Sequence, residues 1–299
     1  MRLPSGDVRR RTLLGRDEVR GGLDAHMKPP VSLIINTLNE EANIGDCIRS
    51  AQDLADEIIV CDMHSTDRTV EIARTFNARI LFHEPVGWVE PARYFAISQA
   101  SHEWVLALDA DERMTPKLAR RLTELAGDAA VDVVQFGMLY NYFGGYVRYG
   151  NFYDTRYARF FRKSVYLANY RVREAMVHEN FRTLQNVGRR LQLPPDYYVL
   201  HEAYPTIEKY IHKTLGVYGR LEAEQRVAQG ERFVPWRMLW EPTRQFLTRF
   251  IVRQGFRDGR RGFILAALYA AFRFTVWANI WFLTQVQPTT GGGESTETQ

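Results

Sequence analysis

The sequence predicts an α/β protein that is built on a mostly parallel sheet with helices on both faces. Apolar runs at residues 31–36, 57–61 and 104–108 are short and continuous, as expected of buried strands. Segments whose apolar residues recur at helical spacing lie between these runs. Strands that alternate with helices in this way are typical of a parallel sheet whose connections cover both faces.

The elements follow one another regularly in the first part of the chain. Two further strands and four helices complete this part, the strands at residues 79–83 and 131–138 and the helices at residues 41–54, 67–76, 91–100 and 116–125. Thr115 and Pro116 make a good cap and first position for the last of these helices. We therefore expect one α/β domain over residues 31–204. Long helical patterns follow and predict a helical region over residues 205–287.

Composition indicates a globular protein that favours anionic partners. The 299 residues are 45% hydrophobic and 25% charged, which is enough to build a large core. Cys47 and Cys61 form neither a disulfide framework nor a metal-type cysteine cluster, so a reduced compartment is expected. The formal charge of +4 and the pI near 9.0 suit phosphates, lipid head groups or nucleic acid as partners.

Both ends of the chain differ in composition from the rest. Residues 1–30 are rich in arginine and glycine and lack the apolar core of a signal peptide, so we expect a disordered basic lead. Met27 directly precedes Lys28 and the first strand, and is a second possible start. Residues 288–299 are of low complexity, and we expect a disordered tail.

Polar side chains follow three of the predicted strands at the point where each strand ends. They are Thr37, Asn39 and Glu40 after the first strand, Asp62 after the second, and Asp109 with Asp111 after the fourth. Ligands of open α/β sheets gather outside the carboxyl ends of the strands. We therefore expect these side chains to converge on one edge of the sheet.

Asp109 and Asp111 are the most informative of these residues. The local sequence places little nearby that would neutralise them. Acids in strand-to-helix loops often only favour the helix dipole, but Thr115 and Pro116 already begin the next helix. Two carboxylates one residue apart are suited to Mg²⁺ or Mn²⁺ carrying a substrate diphosphate. We therefore expect a divalent cation to supply the missing positive charge.

Three segments together resemble the signatures of family 2 glycosyltransferases of GT-A fold. They are "TLNEE" at residues 37–41, "CDMHSTDRT" at residues 61–69 and "WVLALDADER" at residues 104–113. The likeness covers residues 31–179, and the joint order of the three segments is more specific than a lone D-x-D. It implies a nucleoside pocket lined by Thr37, Asn39 and Glu40, with Asp62 accepting a hydrogen bond from the base. It also implies that Asp109 and Asp111 hold the sugar-nucleotide through the metal.

The same resemblance suggests roles for three further residues, each with a structural alternative. Arg93 matches a basic position near the diphosphate or donor sugar, and otherwise is a surface arginine. Glu179 in "MVHEN" lies after the D-x-D segment, at the place where relatives have the general base. Many relatives have Glu-Asp there, whereas this chain has His178-Glu179. Otherwise Glu179 is a solvated glutamate. His201 resembles a late histidine that contacts the metal or diphosphate, and otherwise is structural. Asp67 is interpreted as a helix-start acid.

Residues 140–161 are crowded with ten tyrosines and phenylalanines that are interleaved with arginines. This mixture suits stacking on sugar rings and binding of an anionic acceptor, and it equally suits a core with basic edges. It contains no recognised RNA- or DNA-binding motif, so we expect no nucleic-acid partner.

The helical region is strongly basic and aromatic. Nine arginines and only two acids lie between residues 232 and 273, while tryptophans and phenylalanines recur at helical spacing. The apolar segment at residues 262–283 has Arg273 near its middle, which disfavours a membrane span. We expect an interfacial helix on an anionic membrane, and the alternative is packing on the catalytic domain. "GFRDGRRGF" at residues 255–263 resembles the corresponding region of lipopolysaccharide-core glucosyltransferases.

We therefore expect an inverting glycosyltransferase that moves a sugar from a nucleotide-diphosphate donor, with UDP-sugar as the first choice, to a bacterial cell-surface glycan or glycolipid. Its location is expected to be cytoplasmic and peripheral on the inner face of the plasma membrane. Two alternatives remain, namely transfer to polyprenyl phosphate and a non-catalytic, membrane-recruited binding module. A Rossmann oxidoreductase is disfavoured because "TLNEEANIG", and not a glycine-rich fingerprint, follows the first strand.

Overall fold

The computed structural model describes residues 29–85, 89–170, 184 and 186–286. The basic lead up to residue 28, the tail from residue 288 and the candidate base Glu179 lie outside the described residues.

The described residues form one nine-stranded sheet with helices on both of its faces. Its strands are β1 (Val31–Thr37), β2 (Glu57–Asp62), β3 (Arg79–Phe82), β4 (Trp104–Asp109), β5 (Glu112–Met114), β6 (Val133–Tyr142), β7 (Asp154–Arg162), β8 (Arg190–Gln192) and β9 (Tyr198–Tyr204). Helices of the α/β part are α1 (Ile44–Ala51), α2 (Thr69–Arg74), α3 (Glu90–Ser98), α4 (Pro116–Ala126) and α5 (Lys163–Asn169).

The strand order is β3-β2-β1-β4-β7-β6-β9-β5, and β8 also pairs with β6. Strands β1 to β4 are parallel to one another, as predicted. Strand β7 enters between β4 and β6 in the opposite direction, and β5 pairs with β9 in antiparallel fashion. The sheet is therefore mostly parallel but mixed in its second half, where the strand pattern had not predicted β5, β7 or β8.

The central strands are buried on both faces because each face is covered by helices. Leu33 and Ile35 of β1 pack in one cluster with Ile44 and Ile48 of α1. Ile34 packs on the other face with residues of α3. Every residue of β1 is buried, which explains why consecutive residues from Leu33 to Ile35 are apolar instead of alternating with polar ones. Cys47 and Cys61 are free and buried, consistent with the absence of a disulfide framework.

The C-terminal helices form a bundle, as the helical patterns predicted. They are α6 (Ile207–Tyr210), which continues as the π-helix Ile211–Tyr218, then α7 (Gly219–Ala228), α8 (Arg237–Leu247) with the π-helix Thr248–Val252, the 3₁₀ turn Gly255–Asp258, α9 (Gly259–Trp281) and the π-helix Phe282–Val286. Among the described residues, Gly255–Val286 is one helical stretch whose length and mean hydropathy of 1.5 would suffice to cross a membrane.

Arg273 lies inside this bundle and is bound by acids of two other helices. Its Nη1 donates to Glu222 of α7 at 2.6 Å and its Nε donates to Glu241 of α8 at 2.9 Å. Trp277 Nε1 donates to the second oxygen of Glu241 at 2.6 Å. Arg273 is therefore neutralised within the protein and is not one of the arginines available to lipid phosphates.

The "GFRDGRRGF" segment attaches the helical bundle to the α/β part. Asp258 accepts a hydrogen bond from the backbone N–H of Tyr149 at 2.8 Å, and Arg261 donates to the carbonyl of Gly144 at 3.1 Å. A Cβ on Gly262 would lie 1.8 Å from the carbonyl oxygen of Gly255, so only glycine fits at this close approach. The segment therefore has a structural role between the two parts.

Candidate functional site

The carboxyl ends of β1, β2 and β4 meet at one edge of the sheet, as predicted. Pairing in register places Thr37 beside Asp62 and Asn36 beside Asp109. Thr37 and Asp62 are buried, whereas Asn39 is exposed. The structure thus brings the predicted polar residues of three separate strands together at what we call the acidic edge, formed by Thr37, Asp62, Asp109 and Asp111.

Two loops at this edge are joined by side-chain hydrogen bonds. Asn39, in the left-handed region at φ +55°, accepts a hydrogen bond from the backbone N–H of Thr66 at 2.8 Å. Its own N–H donates to Ser65 Oγ at 2.8 Å, and the N–H of Glu40 donates to Thr69 at 2.8 Å. Asparagine suits this position because its short polar side chain tolerates a positive φ and bonds locally. The "TLNEE" segment therefore holds the loop that follows β2.

Asp62 folds that loop back onto the end of its own strand. Its carboxylate accepts the backbone N–H of Ser65 at 2.8 Å and the Ser65 hydroxyl at 2.5 Å. A carboxylate has about four acceptor positions, so these bonds leave capacity for a ligand donor. Thr37 Oγ1 is buried and has no hydrogen-bond partner within the described residues. Asp67 bonds the N–H groups of Glu41 and Thr69, which confirms its interpretation as a local helix-start acid.

Asp109 is neutralised by two buried arginines, so the expectation that little nearby would neutralise it is wrong. Arg93 Nη2 donates to Asp109 Oδ1 at 2.6 Å, and Arg159 Nη2 donates to Oδ2 at 3.1 Å. Arg93 comes from α3 and Arg159 from β7, both distant along the chain. Arg93 is 2% exposed, which excludes the alternative of a surface arginine.

Glu112 completes this buried ionic cluster. Its Oε1 accepts from Arg159 at 2.8 Å and its Oε2 accepts from the backbone N–H of Asp109 at 3.0 Å. Burial raises the pKa of Asp109, but Arg93 and Arg159 outweigh burial and hold that pKa well below its usual range. Burial also raises the pKa of Glu112, and Arg159 opposes it. Asp109 is thus ionised and fixed in orientation.

Asp111 has a different partner, His201. His201 Nε2 lies 3.2 Å from Asp111 Oδ2 across the β5 and β9 pair, and its Nδ1 lies 3.2 Å from Met138 Sδ. Burial raises the pKa of Asp111, but the hydrogen bond and charge of His201, together with the charge of Lys209, lower the pKa overall. Burial lowers the pKa of His201, but its hydrogen bond to Asp111 and the charges of Asp111, Glu112 and Asp109 together raise the pKa overall. The structure brings together this predicted metal pair.

The donor set of Asp111 and His201 fits Mn²⁺ or Mg²⁺ only in part. Adjacent ligands of an octahedral ion lie about 3.0 Å apart when each bond is about 2.1 Å, close to the 3.2 Å between these atoms. The described residues contain no group of three or more ligating side chains. A divalent ion at this pair would therefore need oxygens from Asp109, the substrate or water, as expected of a cation that binds with a diphosphate.

Three residues of the site escaped the sequence analysis. Arg159 and Glu112 belong to the buried cluster, but Arg159 lies in an antiparallel strand that the pattern did not predict. Asn36 is buried beside Asp109, and neither atom of its side-chain amide has a partner among the described residues. Asn36 could have been recognised from the sequence as a candidate site residue, because it is a polar residue at the end of an apolar run.

Comparison with known proteins gives consistent results. Residues 32–185 match the model of Glycosyl transferase family 2. The lipopolysaccharide core biosynthesis glycosyltransferase LpsC of Rhizobium meliloti is 31% identical over 265 residues, which cover 85% of this chain and 93% of that protein. An uncharacterized glycosyltransferase of Rickettsia typhi is 29% identical and covers 82% of this chain and 84% of its own.

A solved structure with partial overlap is glucosyl-3-phosphoglycerate synthase of Mycobacterium tuberculosis in complex with Mn²⁺ and UDP-glucose. It is 25% identical, with a TM-score of 0.32, and the match covers 38% of this chain and 44% of that chain. The chain thus matches less than half of the length of that structure, and the assignment depends on the family model and the relatives.

Proposed function

Since the chain belongs to glycosyl transferase family 2, we propose that it transfers a sugar from a nucleotide-diphosphate donor to a bacterial cell-surface glycan or glycolipid, with inversion at the anomeric carbon. UDP-sugar is the proposed donor. The observation that carries the proposal is the meeting of Thr37, Asp62 and the Asp111–His201 pair at one edge of the sheet. The relationship to LpsC supports an acceptor of the lipopolysaccharide core.

Each part of the acidic edge has a proposed task in this reaction. Thr37, Asn39 and Glu40 line the nucleoside pocket, and Asp62 accepts a hydrogen bond from the base. Asp111 and His201 would hold Mn²⁺ or Mg²⁺, which when bound offsets the charge of the departing diphosphate. Arg93 and Arg159 bind both oxygens of Asp109 and keep it ionised, two residues before Asp111.

Glu179 is the proposed general base, which takes the proton of the acceptor hydroxyl as its oxygen attacks the anomeric carbon. The rival acceptor is polyprenyl phosphate, which is already anionic and needs no base. Glu179→Gln separates the two proposals. It reduces turnover severely with a hydroxyl acceptor and leaves turnover nearly intact with a phosphate acceptor.

The helical bundle has an exposed apolar surface that we propose binds an anionic membrane from the cytoplasmic side. Trp236, Leu239 and Trp240 are 60%, 70% and 53% exposed, respectively. Exposed arginines of the same helix adjoin them: Arg237 lies 5.8 Å from the Trp236 ring centroid, and Arg244 follows Trp240 by one helical turn. Apolar side chains flanked by cations are suited to the interface between lipid head groups and acyl chains.

Release of the nucleotide tests the proposed function. Purified protein is incubated with UDP-, GDP- and dTDP-sugars in the presence of Mn²⁺, Mg²⁺ or EDTA, and the released nucleotide is measured with and without a lipopolysaccharide-core acceptor. We expect metal-dependent release with one donor class, and its loss in Asp111→Asn. Folded protein that releases no nucleotide under any of these conditions would instead support a non-catalytic binding module.

A further inference from the structure

A large aromatic cavity lies where β6 and β9 meet the C-terminal helices. Its volume is about 660 Å³, within the range of roughly 300–1,000 Å³ that is typical of small-ligand sites. Of the thirteen described residues that line it, eight are tyrosines. We call this space the aromatic cavity.

The aromatic cavity begins one side chain away from the candidate metal pair. Tyr140 lines the cavity, and its ring centroid lies 5.0 Å from that of His201. Tyr204, which follows His201 on the same strand, also lines the cavity. A ligand in the cavity is therefore placed next to the acidic edge.

The tyrosines provide two kinds of surface to a ligand. Their ring faces are apolar, and the hydroxyls of Tyr142, Tyr210 and Tyr269 make no hydrogen bond with other described residues. Each hydroxyl can both donate and accept. A pyranose ring has the complementary pattern, because C–H groups cover its faces and hydroxyls surround its edge. Aromatic faces with polar tips match such a ring better than they match a plain acyl chain.

Arg249 gives the aromatic cavity a positive charge. Its Nη1 donates to the carbonyls of Gly150 at 2.9 Å and Asn151 at 3.2 Å, and its guanidinium lies 3.4 Å from the ring centroid of Tyr269. Within the described residues no carboxylate pairs with Arg249, and its buried Nε donor has no partner. None of the described lining residues is acidic. An unpaired guanidinium in a partly buried space favours an anionic ligand.

We propose that the aromatic cavity is the acceptor subsite and that it binds a sugar ring that bears a carboxylate or a phosphate. The ring packs on the tyrosine faces, and its anionic group pairs with Arg249. The role of this cavity as the acceptor subsite depends on the proposed glycosyl transfer, whereas its binding of an acidic sugar does not.

Calorimetric or NMR titration with simple sugars tests the proposal on the full-length protein. The probes are glucuronate and glucose 6-phosphate, with glucose as the neutral control. We expect both acidic sugars to bind at least about tenfold more tightly than glucose, since a hydrogen bond to an ionised group is roughly twice as strong as a neutral one. Arg249→Gln should remove this preference. The matched control Arg253→Gln, which removes an exposed arginine four residues away, should keep it.

Two results would overturn the proposal. One is equal affinity for glucose and glucuronate in the wild-type protein, and the other is a preference that persists in Arg249→Gln. Tighter binding of octyl glucoside that does not depend on Arg249 would assign the cavity to an apolar chain instead. If Arg249→Gln does not fold, the double variant Tyr142→Phe/Tyr210→Phe serves as the test, and unchanged affinity for all three sugars contradicts the proposal.

A parallel titration with UDP and Mn²⁺ separates this proposal from the proposed function. Arg249→Gln should bind UDP as the wild type does, because Arg249 lies in the cavity and not at the nucleotide residues. If the wild-type protein does not bind UDP, the proposed function is contradicted, but the proposed acidic-sugar site is not.

Discussion

The Nε2 atom of His201 lies 3.2 Å from Oδ2 of Asp111, and this contact joins the middle of β9 to the turn between β4 and β5. Asp109, two residues earlier, is bound by Arg93 and Arg159 instead. Two acids that are one residue apart in the sequence motif are therefore held by different partners. Asp109 is fixed by fully charged arginines, whereas Asp111 is paired with a side chain that is itself a good metal ligand.

The first prediction concerns the metal pair. Asp111→Asn and His201→Asn should each weaken Mn²⁺ binding in the presence of UDP by a factor of about 100 or more, since loss of a ligand exceeds the 10- to 100-fold effect of an outer-shell partner. Water-proton relaxation measures the bound Mn²⁺. Asp46→Asn is the matched control, because Asp46 is an exposed acid whose ion pair among the described residues is with the exposed Arg49. Unchanged Mn²⁺ affinity in both site variants would remove these residues from the metal site.

The second prediction concerns the buried ionic cluster. Arg159→Met should destabilise the protein by about 3–5 kcal/mol, because it leaves Glu112 buried without its charged partner. The double variant Arg159→Met/Glu112→Gln should recover part of this loss. Urea denaturation measures both, and Arg79→Met, at a half-exposed ion pair, should lose no more than about 1 kcal/mol. A loss below 1 kcal/mol in Arg159→Met would mean that the cluster does not stabilise the fold.

The third prediction concerns Asp132 and acid stability. The hydrogen bond from Arg189 lowers the pKa of Asp132 to about 2, so the folded protein holds this carboxylate ionised below the unfolded value of about 4. Its contribution is present above pH 4 and is lost as the pH falls toward 2. Asp132→Asn should therefore cost about 1–2 kcal/mol at pH 7, with allowance for the exposed Arg189.

Urea denaturation of wild type and Asp132→Asn between pH 7 and pH 3 checks this expectation. The difference between the two proteins should shrink at the acid end of that range. Asp53→Asn, at an exposed position, is the control. A difference that stays constant with pH would show that Asp132 acts through packing and not through its charge.

The fourth prediction concerns membrane binding. Leu239→Ser and Trp240→Ser should each reduce flotation with phosphatidylglycerol vesicles by about tenfold, since burial of one large apolar side chain contributes about 1.5–3 kcal/mol. Binding should also weaken in high salt, because screening reduces the attraction of the nearby arginines to lipid. Phe82→Ser, at a similarly exposed residue on the edge of the sheet, should bind as the wild type does. Equal flotation of all variants would contradict the proposed membrane surface.

Much of the first half of the sheet was predictable from the sequence. Strands β1, β2 and β4 are apolar runs that end at polar residues, and parallel packing requires those ends to lie at one edge. This explains why Thr37, Asp62 and Asp109 were found together. The apolar runs that form these strands can be recognised from the local sequence, and the position of the site follows from where the runs end.

The partners of the acids were not predictable in the same way. Arg159 reaches Asp109 only because β7 inserts beside β4 in the opposite direction. No periodicity near Arg159 encodes that insertion, since strand pairing at long range depends on the whole sheet. The segment at residues 140–161 likewise left both a core and a sugar site open, and its residues contribute to the core and to the aromatic cavity.

Arg273 of α9 binds acids of α7 and α8 and so links these three helices of the bundle. Helix α9 also presents Tyr269 and Phe272 to the aromatic cavity and leaves Phe274 and Trp281 exposed. Helix α9 thus contributes side chains both to the cavity and to the outer surface. If lipid anchors that outer surface, α9 sets the height of the cavity above the bilayer, and so limits how far from its lipid anchor the reacting end of a glycan can be.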